Sequence, residues 1–198
     1  MVIGGDRTIR DTIRRYGDDI LRAESYRSAV QFIQHGCINI YEHSLAVTYM
    51  SVWLARTFHI GADIKSMVRG ALLHDYFLYD WHDDAVWHKL HGYHHARTAM
   101  QKARRDFHIT KKEQQIIYRH MFPLNITRFP NSREAALVCL ADKICALRET
   151  ITGKNYEPEL TKDFLQEATS AQNTAKWLNE RSEQWRKDGI RNVYGKRR

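Results

Sequence analysis

Histidine and aspartate residues at five separate places along the chain carry the atoms that usually bind metal ions. An apolar run ends at the adjacent pair His74 and Asp75. Four further residues lie in or beside segments with a helical pattern, and they are His43, His95, His120 and Asp142. Imidazole nitrogen and carboxylate oxygen bind zinc, iron, manganese and related divalent ions without a thiolate. The pattern therefore predicts a metal site assembled from several helices.

The number of candidate ligands favours two metal ions over one. Six ligands exceed what a single ion usually takes from a protein while it keeps an open position. Neighbouring residues on a helix point about 100° apart, so His74 and Asp75 do not bind one ion symmetrically. A carboxylate at position 75 is suited to reach between two ions. We therefore predict two divalent ions as cofactors, and this ligand set is compatible with Fe, Mn, Zn, Ni or Mg.

The elements that position these residues are predicted to be helices. Three prolines in 198 residues and the lack of alternating strand patterns indicate an all-α protein, and nothing suggests a second domain within residues 1–198. The predicted helices, with approximate ends, cover residues 6–23, 25–34, 39–58, 63–76, 94–107, 110–120, 132–152 and 161–187. Asp63 is a predicted N-cap, Thr110 and Glu113 form a predicted capping box, and Gly36 and Gly153 are predicted to end helices.

The segment Tyr79–Tyr93 breaks the helical pattern and is crowded with aromatic, histidine and acidic residues. A loop of this length in a compact domain is often functional, so we predict a lid over a site. Its histidines His82, His88 and His91 have two interpretations, as exposed loop residues or as the source of a general acid.

The net charge of +8 invites a comparison with nucleic-acid-binding proteins. The basic residues concentrate in residues 97–112 and 186–198, and no helix-turn-helix, RNP or zinc-finger pattern accompanies them. We therefore expect solvated faces and attraction to a small anion, with nucleic acid unlikely as a partner. No apolar run approaches the roughly 20 residues that span a bilayer, and no secretory pattern is present, so we expect a cytoplasmic protein without a membrane partner.

The order H…HD…H…H…D resembles the HD-domain superfamily of metal-dependent phosphohydrolases. The motifs that carry the resemblance are Tyr41-Glu-His43-Ser-Leu-Ala-Val, Gly70-Ala-Leu-Leu-His74-Asp75, His95-Ala-Arg-Thr-Ala99, Ile117-Tyr-Arg-His120 and Leu140-Ala-Asp142-Lys-Ile, within about residues 38–150. The resemblance implies an all-α HD-domain helical bundle around a metal centre whose ligands are the six residues named above. His95 is preferred to its neighbours His91 and His94, because its segment matches the family pattern with Ala96 in place of a proline.

The residues after the His-Asp pair depart from the family pattern. Many relatives have a phosphate-binding lysine three or four residues later, where this chain has Tyr76-Phe-Leu-Tyr79. We therefore predict that Arg97, Lys143 and Arg148 bind the substrate, since the segment Ala141–Arg148 resembles the ADR-x3-[LM]-R stretch of HD hydrolases that degrade guanosine tetraphosphate. Asp75 and Lys143 are the predicted catalytic residues.

The resemblance implies metal-assisted hydrolysis of a phosphate ester or anhydride in a nucleotide or another small anionic substrate. In size and ligand count the chain is similar to the symmetrical dinucleoside-tetraphosphate hydrolases. Two alternatives stay open, a non-catalytic metal or nucleotide sensor and an HD-type di-iron oxygenase. The Trp177–Trp185 face of the last predicted helix packs either on the core or on a partner subunit, so a homodimer is one expectation.

Overall fold

The computed structural model describes residues 7–35, 37–79, 91–155 and 158–168 of the chain. These residues form eight α-helices, one turn of 3-10 helix and a two-stranded sheet. The helices are α1 (Arg7–Arg22), α2 (Glu24–Arg27), α3 (Ile40–Thr57), α4 (Ile64–Leu73), α5 (His91–Asp106), α6 (Lys111–Arg119), α7 (Arg133–Thr152) and α8 (Pro158–Ala168). The 3-10 turn covers Ser28–Gln31, and the strands are β1 (Ile33–His35) and β2 (Ile38–Asn39). The prediction of an all-α fold is confirmed, with the small sheet as an addition.

The chain divides into two compact units, Met1–Thr161 and Lys162–Arg198. The first contains α1 to α7 and the sheet, and the second is described only as far as Ala168. The single domain over residues 1–198 stays a prediction. Among the described residues, no helix combines the length and the apolar character needed to cross a membrane, and the cytoplasmic location also stays a prediction.

The predicted helix over residues 25–34 is wrong. Regular α-helix ends at Arg27, a 3-10 turn follows, and β1 pairs antiparallel with β2. The backbone then bonds across the hairpin, and the amide of Ile40 donates to the carbonyl of Phe32 at 2.9 Å. β-Branched residues such as Ile33 and Ile38 lose rotamer freedom in a helix and fit a strand better. The helix end predicted at Gly36 lies outside the described residues.

Helix α3 lies in the core of the first unit and packs against α1, α4 and α7. Leu45, Ala46 and Val47 are all buried, although successive residues of a helix point about 100° apart. A helix that is apolar around most of its circumference belongs in a protein interior. The polar residues that α3 buries therefore need partners inside the protein.

The predicted capping residues fix where the helices begin and end. The side chain of Asp63 accepts a hydrogen bond at the start of α4, and Thr110 and Glu113 form the predicted capping box of α6. Asn39 forms a further capping box at the start of α3. Gly153 ends α7 in the left-handed conformation with φ 63°, which glycine adopts without steric cost. These ends place the predicted ligands at defined turns.

Two other helices begin earlier than predicted. α5 begins at His91 rather than at residue 94, and α8 begins at Pro158 rather than at residue 161. The predicted lid, residues 79–93, therefore ends in helix, and its residues 80–90 lie outside the described part of the chain. The predicted helical residues 169–187, including Trp177 and Trp185, lie outside it as well.

Gly70 allows α4 and α6 to approach closely. A Cβ atom at this position would lie 2.6 Å from Cγ2 of Ile116, which is closer than real Cβ contacts come. Gly70 lies about one helical turn before His74, and Ile116 lies about one turn before His120. The absence of a side chain at position 70 therefore lets the two helices approach closely about one turn before these histidines.

A buried arginine joins helices α1, α4 and α6. Arg69 of α4 forms an ion pair with Asp19 of α1 at 2.6 Å and lies 3.4 Å from the carboxylate of Glu113 in α6. It also donates a hydrogen bond to the carbonyl of Tyr16 at 3.2 Å. Both Arg69 and Glu113 are buried, so removing either partner would leave an uncompensated charge inside the protein.

Candidate metal centre

The structure brings the six predicted ligands together inside the first unit. They come from five places: the first turn of α3, the end of α4, α5, the end of α6 and the middle of α7. All six are buried. Their nitrogen and oxygen atoms lie within 4.8 Å of one another in three groups: His43, His74 and Asp75; His74, His120 and Asp142; and Asp75, His95 and His120. The shared members of these groups make one continuous cluster.

Asp75 divides this cluster into two halves. Its Oδ2 lies 3.7 Å from Nε2 of His43 and 3.3 Å from Nε2 of His74. Its Oδ1 lies 3.4 Å from Nε2 of His95 and also 3.4 Å from Nε2 of His120. Each carboxylate oxygen therefore faces its own pair of imidazoles. This is the arrangement that a carboxylate between two metal ions requires.

Asp142 adds a second carboxylate to one half. Its Oδ1 lies 3.2 Å from Nε2 of His43 and 3.7 Å from Nε2 of His74. In the other half, the Nε2 atoms of His95 and His120 are only 2.9 Å apart. Two nitrogen lone pairs repel at this distance, so either a hydrogen on one nitrogen or a cation beside them is needed.

Three of the histidines are oriented through their other ring nitrogen. Nδ1 of His74 and Nδ1 of His120 lie 2.8 and 2.7 Å from the backbone carbonyl oxygen three residues earlier. Nδ1 of His43 lies 2.7 Å from Oε2 of Glu149. Carbonyl and carboxylate oxygens accept hydrogen bonds, so each Nδ1 donates its hydrogen and each Nε2 faces the cluster. Metal-binding histidines are commonly held in this way by an outer acceptor.

Glu149 belongs to the site although the sequence reasoning did not identify it. Its side chain is fully buried and contacts His43 directly. Glu149 follows Asp142 by seven residues, which is close to two helical turns, so both lie on the same face of α7. That spacing is the signal that could have identified it, because it places a second acid on the face of α7 that carries a predicted ligand.

Gln34 is the second residue that was missed. Its amide Nε2 donates a hydrogen bond to Oδ2 of Asp75, and its side chain is buried. The mistaken helix over residues 25–34 concealed it, because an isolated glutamine in a helix offers no sign of contact with a residue 41 positions later.

The carboxylates of the cluster favour protonated imidazoles when no metal is bound. Burial alone would lower the pKa of His43, but the charges of Glu149 and Asp142 outweigh it and raise the pKa to about 10. For His74, burial is likewise outweighed by Asp75 and Asp142, which raise the pKa to about 9. Without a metal ion, both imidazoles are therefore protonated on both nitrogens and positively charged at neutral pH. A bound metal ion would otherwise supply this positive charge.

The pKa values of Asp75, Asp142 and His120 shift in the opposite direction. Burial would raise the pKa of Asp75 and Asp142, but their histidine neighbours hold both pKa values well below the usual range. Burial lowers the pKa of His120 to about 4, and His74 and His95 add to this effect. The cluster thus holds ionised carboxylates together with neutral and charged imidazoles, which is the donor set that a divalent ion requires.

Two buried atoms of the cluster lack hydrogen-bond partners among the described residues. They are Nε2 of His74 and Oδ1 of Asp75, and both face the centre. A buried polar atom without a partner costs about 1–3 kcal/mol. A divalent cation between the ligands would supply the missing interaction to both. The residues present therefore fit a metal centre, and their individual roles as ligands stay predictions.

The predicted substrate-binding residues differ in their distance from the cluster. The ammonium of Lys143 donates hydrogen bonds of 2.7 Å to Oδ2 of Asp142 and to the carbonyl of His120, so it borders the site. Arg97 is exposed and follows His95 by two residues, so its side chain leaves α5 about 200° away. Arg148 is half-buried beside Glu149. Their contacts with a substrate stay predictions.

Aromatic residues that follow Asp75 form a wall beside the second half of the cluster. Phe77 is buried, and its ring centre lies 5.6 Å from that of His95 and 4.8 Å from that of Tyr79. Burial, with the charge of Asp75, raises the pKa of Tyr79 to about 12, so its phenol stays neutral. The ammonium of Lys102 donates to the carbonyl of Phe77 and holds this turn.

The three histidines predicted as sources of a general acid fall at the edge of or outside the described part of the chain. His82 and His88 lie outside the described residues, and so does the side chain of His91. His94, the alternative to His95 as a ligand, is exposed, whereas His95 is buried in the cluster.

A comparison with protein families agrees with this geometry. The model of the family described as HD domain matches residues 40–147, which is more than half of the chain. The match contains all six predicted ligands, and it leaves out Gln34 and Glu149. No curated protein and no solved structure matches the chain.

Proposed function

The chain belongs to the HD-domain family, and from that premise we propose that it is a metal-dependent phosphohydrolase with a dinuclear centre. The observation that carries the proposal is the position of Asp75, whose two oxygens face two separate pairs of histidines. A single ion would not need one oxygen on each side. The substrate is a phosphate ester or anhydride of a nucleotide or another small anion.

In this proposal the residues divide between two ions. His43, His74 and Asp142 would hold one ion, His95 and His120 would hold the other, and Asp75 would lie between them. Two bound divalent ions supply Lewis acidity and a water that loses its proton near neutral pH. The side chains of the cluster are almost fully buried, so they exclude bulk water and strengthen each charge interaction.

The positive charge beside the centre supports an anionic substrate. Lys143 shares its ammonium between Asp142 and a backbone carbonyl, and its side chain is 38% exposed, so one face stays open to solvent. We propose that this face contacts a phosphate oxygen, and that Arg148 contributes from the next turn of α7. The net charge of +8 favours the approach of such a substrate.

A screen of phosphate release tests the proposal. The wild-type protein, supplied with Mn²⁺ or Fe²⁺, is incubated with nucleotides, dinucleoside polyphosphates and simple phosphate esters. Asp75→Asn should bind fewer ions and lose nearly all turnover, because its amide cannot serve both ions as an anion. The matched control is Asp11→Asn at an exposed position of α1, which should keep full activity. Equal activity of Asp75→Asn and the wild type would refute the mechanism.

A sensor without catalysis is the second candidate. The segment Tyr76-Phe-Leu-Tyr79 favours it, because this segment offers no ammonium for a transferred phosphate. In the same screen, tight nucleotide binding without phosphate release would support the sensor. An HD-type di-iron oxygenase has a similar ligand set, and oxygen consumption by the iron-loaded protein would identify it.

A further inference from the structure

Gln34 reaches the centre from outside the part of the chain that the family model matches. It lies in β1, before α3, whereas the match begins at residue 40. Its side chain is 5% exposed, and its amide Nε2 contacts Oδ2 of Asp75. The small sheet therefore delivers a polar group to the one residue that both halves of the cluster share.

The direction of this hydrogen bond follows from the two groups that form it. Nε2 of Gln34 carries the NH₂ hydrogens and donates, and Oδ2 of Asp75 is a carboxylate oxygen and accepts. The Gln34 amide must then turn its NH₂ group towards Oδ2. Within the described part of the chain, Oδ1 of the same carboxylate has no hydrogen-bond partner. The two oxygens of Asp75 are thus made different by Gln34.

This difference matters because a carboxylate rotates easily about its last torsion angle. Rotation would move Oδ1 and Oδ2 away from their separate histidine pairs. A neutral amide can hold one oxygen without adding charge to the centre and without occupying the face of Oδ1. Lys and Arg would hold the carboxylate more strongly, but their positive charge would oppose the binding of cations.

The carbonyl oxygen of the Gln34 amide provides a second observation. Its Oε1 is buried and has no hydrogen-bond partner among the residues that the structure describes. Buried amide oxygens are rarely left in this state, because the lost interaction costs about 1–3 kcal/mol. An N–H or O–H group from a water molecule or from the substrate would satisfy it.

We infer that Gln34 is a positioning residue of the metal centre, whose amide N–H fixes the bridging carboxylate of Asp75 and whose Oε1 accepts a hydrogen bond from a molecule bound beside it. The inference rests on the dinuclear centre of the proposed function. It does not depend on hydrolysis, because the positioning of Asp75 acts on metal binding before any substrate arrives.

Calorimetric titration with Mn²⁺ tests the first part of the inference. Gln34→Met keeps the length of the side chain and removes both hydrogen-bonding groups. We expect its affinity for Mn²⁺ to fall about 10- to 100-fold, which is the range for outer partners of metal ligands. The control is Gln101→Met, the same substitution at an exposed position of α5, which should keep wild-type affinity. Wild-type affinity and stoichiometry in folded Gln34→Met would overturn the inference.

A measurement on the wild-type protein covers the case in which Gln34→Met does not fold. In ¹⁵N-labelled protein titrated with diamagnetic Zn²⁺, the side-chain NH₂ signals of Gln34 should shift and exchange slowly with solvent. A purely structural glutamine distant from the ions would show unchanged signals, and that result would also overturn the inference.

These results are separable from the proposed function. If the wild type binds two ions and the Gln34 signals shift, but no phosphate compound is hydrolysed, the function fails and the inference stands. If the wild type hydrolyses a phosphate compound while Gln34→Met keeps its Mn²⁺ affinity, the inference fails and the function stands.

Discussion

The two nitrogens of each oriented histidine in the centre have separate roles. Nδ1 donates a hydrogen bond to a fixed acceptor, and Nε2 faces the cluster. For His74 and His120 the acceptor is a backbone carbonyl, which no substitution removes. For His43 it is the carboxylate of Glu149, so among these three histidines the orientation of His43 depends on another side chain.

Glu149→Gln should therefore weaken metal binding while it preserves the shape of the side chain. The amide holds Nδ1–H of His43 less strongly than the carboxylate does and removes a negative charge beside the ligand, and we expect about a tenfold loss of Mn²⁺ affinity. Calorimetric titration with Mn²⁺ measures this affinity. Glu24→Gln makes the same substitution at an exposed position of α2 and should have no effect. Equal affinities of the two variants would contradict this role of Glu149.

Lys143 and Arg97 offer a test of substrate contact at the same scale. Lys143→Met should raise KM by about tenfold or more, since a hydrogen bond to a charged group contributes about 1.5–3 kcal/mol. Arg97→Met should raise KM less than Lys143→Met does, because Arg97 is exposed and leaves α5 on another side than His95. Steady-state kinetics with the best substrate of the screen measures both. Metal content, measured in parallel, separates substrate binding from the contact of Lys143 with Asp142.

The sequence predicted the charged and imidazole members of the cluster, and it missed the groups that orient them. Six residues in a fixed order are unusual enough to be recognised, and the structure places all six together. Gln34 and Glu149 are ordinary residues for a helix or strand surface. The spacing of Glu149 from Asp142 is its signal in the sequence, whereas only the three-dimensional contact with Asp75 distinguishes Gln34.

At the level of elements, helix ends were predictable where capping residues mark them. Asp63, Thr110 and Gly153 occupy the expected positions. The hairpin of β1 and β2 was not predictable in the same way, because each strand is too short to show an alternating pattern. The hairpin forms through pairing between the two strands, and the local pattern of apolar residues carries no information about that pairing.

Gly70→Ala tests whether the approach of α4 and α6 sets the geometry of the centre. The added methyl group would overlap the side chain of Ile116, and overpacking of this kind costs about 1–3 kcal/mol. We expect lower stability in urea and weaker binding of metal ions, because His74 and His120 move apart. Gly61→Ala, where the nearest atom is 3.5 Å away, is the control. Unchanged stability and metal binding in Gly70→Ala would show that the helices adjust freely.

At the scale of the whole molecule, metal binding is linked to pH. Without metal, His43 and His74 have pKa values of about 10 and about 9, raised by the surrounding carboxylates against the effect of burial. An ion must displace these protons, so the apparent affinity should rise with pH up to about 9–10 and then level off. Titration calorimetry in buffers of different ionisation enthalpy should show about two protons released at pH 7. A metal affinity that is independent of pH would contradict this coupling between metal binding and proton release.

The free energy of unfolding of the metal-free protein should fall at high pH, whereas the affinity for metal ions rises. The two raised pKa values lie above the usual value for histidine, so their contribution to stability is complete below about pH 6.5. It is lost as the pH rises through about 9–10. The metal-bound protein should keep its stability over that interval, because the ions replace the protons.

The contact between Asp75 and His95 has a consequence for how the chain tolerates change. It closes the intervening chain into a loop whose two ends are fixed inside the protein. The entropy of closing a loop grows only with the logarithm of its length, and a doubling costs about 0.6 kcal/mol. Insertions, deletions and exchanges between residues 80 and 90 should therefore leave the centre assembled. New substrate preferences can then arise in that segment without a redesign of the ion-binding residues.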